Sequence, residues 1–226
     1  MKKMCIAITL AFLVGLGFHS HVSAAESKGT VDAKSGKLCA KCHRSKVTAP
    51  FVHGGLADKE CSPCHTVTGG NHQLDHSIYG VKDKSSKICY ECHENQSNQK
   101  SVHPPIMDND CLACHAPHVS NFKYQLGMPA NQLCFECHEK SLVTEKETTK
   151  NGFRDGTNNL HYVHAGEQGA AIPCLSCHDA HASSQLHLIR PKGTNGKDEV
   201  TITYTTTPKG GNCTVSCHDA LGYERK

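Results

Sequence analysis

The sequence predicts a mostly irregular chain with short α-helices, wrapped around bound groups instead of around a core of its own side chains. Three observations predict it. Among 226 residues tryptophan is absent, aromatics are 5% and hydrophobic residues 37%, so side chains alone make a poor core. The chain nevertheless carries 15 Cys and 18 His, a usage that disordered chains do not share. Nineteen Gly and nine Pro, without long amphipathic periodicity, favour loops and short helices.

The N-terminus accounts for part of the apolar content. Lys2 and Lys3 precede an apolar run from Cys5 to Phe18, followed by "HSHVSAAES". A charged start, a short apolar stretch and a Val-Ser-Ala site read as a secretory signal peptide over residues 1–24, cleaved after Ala24. The run is too short for a bilayer-spanning anchor, and no later segment is apolar enough to cross a membrane. The expected mature domain is 25–226, exported to the periplasm or beyond it. Cys5, His19 and His21 leave with the signal.

Fourteen cysteines in an oxidising compartment would by default form disulfides. Their spacing argues otherwise. Cys39-x-x-Cys42-His43, Cys61-x-x-Cys64-His65, Cys89-x-x-Cys92-His93, Cys111-x-x-Cys114-His115, Cys134-x-x-Cys137-His138 and Cys174-x-x-Cys177-His178 are six copies of one pattern. A seventh, Cys213-Thr-Val-Ser-Cys217-His218, has one extra residue between its cysteines. Every cysteine after Cys5 belongs to one of the seven. A disulfide framework needs no His after the second Cys, and zinc sites use a second ligand pair at its own spacing.

Cys-x-x-Cys-His is the attachment signature of c-type haem. Two thiols on one short turn reach the two vinyl groups on one edge of a porphyrin and form thioethers. The imidazole of the next residue then falls beneath the iron as its proximal ligand. The pattern therefore implies seven covalently bound c-type haems, with His43, His65, His93, His115, His138, His178 and His218 as proximal ligands. The expected fold is accordingly a mostly irregular chain with short α-helices wrapped around a chain of seven haems, whose apolar faces replace the missing core. The haem-free chain is expected to be largely unfolded.

Nine histidines remain for the opposite axial positions: His53, His72, His76, His103, His118, His161, His164, His181 and His187. Several are in register. His53 and His103 stand eight residues before Cys61 and Cys111, and His164 ten before Cys174, each preceded by Val. "CHAPH" and "CHDAH" place His118 and His181 three residues after His115 and His178. The first unit lacks that copy and offers His72 or His76 instead. The distal candidates are thus His53, His72, His103, His118, His161, His164 and His181, with His76 and His187 as alternatives. Met107 and Met128 are the only methionines left to compete, so low-potential His/His irons are expected.

The motifs come in pairs, starting at 39 and 61, 89 and 111, and 134 and 174. They suggest paired-haem repeats over about 37–80, 87–126 and 132–190, followed by a single-haem segment over 191–226. The wider third spacing contains "VTEKETTKNGFRDGTNN", which reads as a surface loop. "EVTITYTTT", before the seventh motif, is a β-favouring run with turn signals on both sides, expected to form a minor hairpin beside the last haem.

Paired Cys-x-x-Cys-His motifs, a Val-His before the second of each pair and "CHAPH"/"CHDAH" after it resemble the doubled-CXXCH family of multihaem c-type cytochromes. The resemblance spans roughly 37–226. It implies periplasmic or extracellular electron carriers whose bis-histidine haems stand close enough for rapid hopping. The first unit departs from the pattern by lacking the His three residues after its motif, and the final motif stands alone.

Lysine and arginine total 24 against 21 acids, spread along the chain, and each haem adds two propionates. That distribution argues against nucleic acid as a partner. The expected partners are redox proteins: a quinol-oxidising donor, and a terminal reductase or outer-membrane conduit as acceptor. No catalytic residues are assigned. The alternatives to a carrier are a multihaem reductase of a small oxyanion or nitrogen compound, and a subunit of a conductive cytochrome filament.

Overall fold

The computed structural model describes residues 36–56, 61–67 and 79–225. The expected signal peptide and the candidates His72 and His76 lie outside the described residues. No described helix is long and apolar enough to cross a membrane.

The helices run from four to seven residues: α1 (Gly36–Cys42), α2 (Pro104–Met107), α3 (Ala130–Cys134), α4 (Ser141–Thr144), α5 (Leu160–Ala165) and α6 (Cys174–Cys177). Antiparallel pairing ties them together. Strand β1 (Phe51–Val52) pairs with β5 (Val119–Ser120), and β2 (His65–Val67) with β3 (Tyr79–Val81). Strand β4 (Ser101–Val102) pairs with β8 (Ala182–Ser183), and β6 (Arg154–Asp155) with β7 (Asn158–Asn159). The C-terminal strands β9 (Lys192–Asn195), β10 (Asp198–Thr206), β11 (Gly210–Val215) and β12 (His218–Glu224) form a four-stranded sheet in the order β12-β11-β10-β9.

This corrects the expected fold class. An irregular chain of short helices wrapped on haem, with a minor hairpin near the end, does not describe the chain. Five antiparallel sheets order the described residues, and the expected hairpin is the centre of a four-stranded sheet. The cause lies in the β-branched run of β10. Nine residues long, it is able to pair along both edges, and its alternation buries Val200 and Ile202 at 5% exposure each. A two-residue turn with Gly196 at φ 63° joins it to β9, a backbone conformation glycine adopts without a Cβ clash.

Buried apolar side chains are few among the described residues: Ala182, Val200, Ile202 and Tyr223. Three of them belong to the C-terminal sheet. Gly193 in β9 brings that sheet against the sixth motif, since a Cβ there would stand 2.2 Å from the Ser176 carbonyl oxygen.

Candidate functional site

Six of the motifs share one local structure. In each, the histidine N–H donates to the carbonyl of the first cysteine: His43 to Cys39 at 2.8 Å, His65 to Cys61 at 3.0 Å, His93 to Cys89 at 2.9 Å, His115 to Cys111 at 3.0 Å, His138 to Cys134 at 2.9 Å and His178 to Cys174 at 3.0 Å. One helical turn therefore presents two thiols and an imidazole together. Among the described residues no disulfide joins the motif cysteines.

The seventh motif is built differently. Cys213 lies in β11 and His218 opens β12, so the motif is the turn of a hairpin. The register shifts between Cys213 and Val215, which accommodates the extra residue as a bulge.

Consecutive motifs place their thiols side by side. Burial and the neighbouring Cys39 thiol raise Cys61, and burial and Cys111 raise Cys89. Cys134 is raised by the Cys174 thiol, to which it is hydrogen-bonded. Between these pairs, Cys64 lies near Cys89, Cys137 near Cys114, and both Cys213 and Cys217 near Cys177. The motifs are thus neighbours in the order of the chain.

The histidines form facing pairs. His65 faces His118 with ring centroids 5.9 Å apart, His93 faces His53 at 5.9 Å and His115 faces His181 at 5.8 Å. His138 faces His103 at 6.1 Å, His178 faces His161 at 6.3 Å and His218 faces His164 at 6.4 Å. Each pair joins one motif histidine to one histidine from outside the motifs. His43 has an interaction within the structure as well.

Three stations deliver these outer rings. At the first, β1 pairs with β5 and the His53 N–H donates to the His118 carbonyl at 2.9 Å. His53 then faces the third motif and His118 the second. At the second station β4 pairs with β8, and the His103 N–H donates to the His181 carbonyl at 2.9 Å. His103 faces the fifth motif and His181 the fourth. At the third, both rings stand on α5: His161 faces the sixth motif and His164 the seventh. Residues three apart on a helix share a face, so one turn serves two motifs.

Backbone carbonyls set several ring orientations. His115 Nδ1 bonds the Tyr124 carbonyl at 2.8 Å, and His178 Nδ1 the His187 carbonyl at 3.0 Å. Tyr124 and His187 have φ of 60° and 57°, a left-handed bend that turns each carbonyl toward the imidazole. His187 therefore acts through its backbone, while its ring packs edge-on against Tyr204 at 5.6 Å. Met107 is exposed. The sequence reading missed the roles of Tyr124 and His187; their common position nine residues after a motif histidine was the available signal.

Burial, followed by His178 and His164, lowers the pKa of His161 to about 4. Its imidazole is neutral near pH 7, the form that binds metal. Burial also lowers His53, His118, His178 and His181.

The donor set fits c-type haem. Metal–imidazole bonds of about 2.0–2.1 Å on opposite sides of one ion put the ring centres on the order of 6 Å apart. Among the described residues no group of three or more His, Cys, Asp or Glu is arranged to hold a metal ion. Two facing imidazoles suit a metal whose other four positions are filled by a macrocycle, and the thiols beside each motif histidine suit its covalent attachment.

The family model described as Doubled CXXCH motif matches residues 53–98 and 103–142. The matched segments open on His53 and His103, and so group the second motif with the third and the fourth with the fifth. No curated protein matches the chain.

Proposed function

The chain carries the doubled CXXCH motif of multihaem c-type cytochromes, and on that premise we propose that it is an electron-transfer protein holding seven covalent haems outside the cytoplasm. The six facing histidine pairs carry the reading. In it His65, His93, His115, His138, His178 and His218 bind irons from the motif side. His118, His53, His181, His103, His161 and His164 bind the same irons from the other side. His43 is the motif-side ligand of the remaining iron.

When bound, the haems supply one-electron chemistry at the low potentials of His/His ligation. The fourteen motif cysteines hold them by thioethers. Thiols of consecutive motifs lie near one another, which supports an arrangement of the groups in sequence from the first motif to the seventh. Two imidazoles per iron leave no coordination position for a substrate at six of the sites, which favours a carrier over a reductase. The partners in this reading are a quinol-oxidising donor and a reductase or outer-membrane conduit, met on the periplasmic or outer side.

The test is the intact mass of the mature holoprotein combined with carbon monoxide binding to its reduced form. The expected result is seven haems and an almost unresponsive spectrum. A mass equal to that of the haem-free chain would overturn the cofactor assignment, and a carbon monoxide response from most of the haem would overturn the carrier assignment.

A further inference from the structure

At the third station no described strand from a following repeat supplies the rings. The segment before it fills that role. Asn159 is fully buried and anchors the segment. Its side-chain amide donates to the Leu142 and Glu145 carbonyls at 3.0 and 2.8 Å, and its oxygen accepts from the His161 N–H at 3.1 Å. The same oxygen accepts from Asn151, whose own side-chain oxygen takes the Phe153 N–H at 3.0 Å. Phe153 in turn accepts from the Leu160 N–H at 3.1 Å through its carbonyl. The segment thereby fixes Phe153 against the start of α5.

Ring orientation is secured differently at His161 than at five other facing rings. His103 Nδ1 bonds the Ala180 carbonyl, His164 Nδ1 the Leu160 carbonyl and His218 Nδ1 the Asp219 carbonyl, as His115 and His178 do with theirs. Such a bond holds an imidazole's rotation and its tautomer. His161 Nδ1 is buried with no hydrogen-bond partner among the described residues. Only packing is left to hold its plane, and the packing is Phe153, edge-on at 5.1 Å with an interplanar angle of 80°. Behind Phe153 stands Tyr223, also edge-on at 5.3 Å. The Tyr223 hydroxyl meets that of Tyr204 at 3.1 Å, and Tyr204 packs on the His187 ring. The His187 carbonyl holds His178. The brace thus starts at one ring of the His161–His178 pair and returns to the other.

We propose that Phe153 is the positioning residue that sets the ring plane of His161, and through it the electronic state of the sixth motif's iron. The proposal rests on the two-histidine ligation of that iron. Phe153 also lies 5.6 Å from His164, but that ring is held at 2.7 Å by the Leu160 carbonyl and should follow Phe153 less. In a low-spin ferric haem the angle between axial imidazole planes governs the spread of the electron paramagnetic resonance g-values, so the effect has a direct readout.

The experiment uses the full holoprotein. Phe153→Leu should move one of the low-spin ferric signals and one reduction potential while the haem count by mass stays at seven. Phe153→Tyr, which keeps the ring, should retain the parent signal. Phe153→Met takes the place of the leucine variant should that variant fail to mature. In a His161→Met background, adding Phe153→Leu should change nothing further, because the ring it acts on is gone. Parent-like signals and potentials in Phe153→Leu would overturn the proposal, as would a shift that persists in the His161→Met background. His161→Ala serves as the control for the ligand reading. If it opens one iron to carbon monoxide while Phe153→Leu remains silent, only the role of Phe153 falls. If it opens none, the ligation itself is wrong.

Discussion

His65 and His118 face each other with ring centroids 5.9 Å apart and planes 9° from parallel, although they belong to different repeats. His118 reaches back because β5 is zipped to β1, which lies just before the motif that carries His65. At the first two stations the rings that face the motif histidines are delivered by short strand pairs joining successive repeats.

His118→Ala should therefore disturb the second motif and leave its own neighbour, the fourth, intact. Carbon monoxide should bind about one haem in seven of the reduced protein, with no haem lost from the mass. The fourth motif's histidine, His115, faces His181 instead. A carbon monoxide signal traced to that iron would contradict the crossed arrangement.

His187→Gly should leave the spin state of every iron unchanged. The native contribution is a backbone carbonyl at φ 57°, which glycine supplies without a Cβ clash. An unaltered visible spectrum and no carbon monoxide binding are the expected outcome. His161→Ala in the same assay should open one iron.

Replacing Cys213 and Cys217 together with Ala should lower the intact mass by one haem. The hairpin form of the seventh motif keeps both thiols near the turn in spite of the extra residue. An unchanged haem count would remove the seventh site.

Asn159→Ala should destabilise the holoprotein by roughly 2–4 kcal/mol. It strips donors from two carbonyls near a buried position and removes the cap of α5, losses of about 1–3 kcal/mol for an unsatisfied buried group and about 1 kcal/mol for a cap. Chemical denaturation should show a lowered midpoint, with the haems of the sixth and seventh motifs the first to change spectrum.

A haem-free chain, made without export and attachment, should show little ordered structure by circular dichroism. Only four buried apolar side chains are found among the described residues, too few to offset the entropy of ordering the chain.

The attachment chemistry was legible in the residues alone, because it depends on contacts within five or six consecutive positions. Cys39 to His43 form one turn by local hydrogen bonding, so spacing was enough to mark the thiols and the motif-side imidazole. The registered outer histidines were also visible, as Val-His before some motifs and Cys-His-x-x-His after others. Their partners were not. His53 belongs with His93 and His118 with His65 only because two-residue strands meet across repeats, and strands that short leave no periodic trace in a sequence. The C-terminal run was readable as β-favouring, whereas its growth into four strands depended on which edges found a neighbour. His161 and His187 look alike as isolated letters. One became a facing ring and the other a backbone acceptor, because burial, the left-handed bend at His187 and the packing of Phe153 are set by residues distant in the chain.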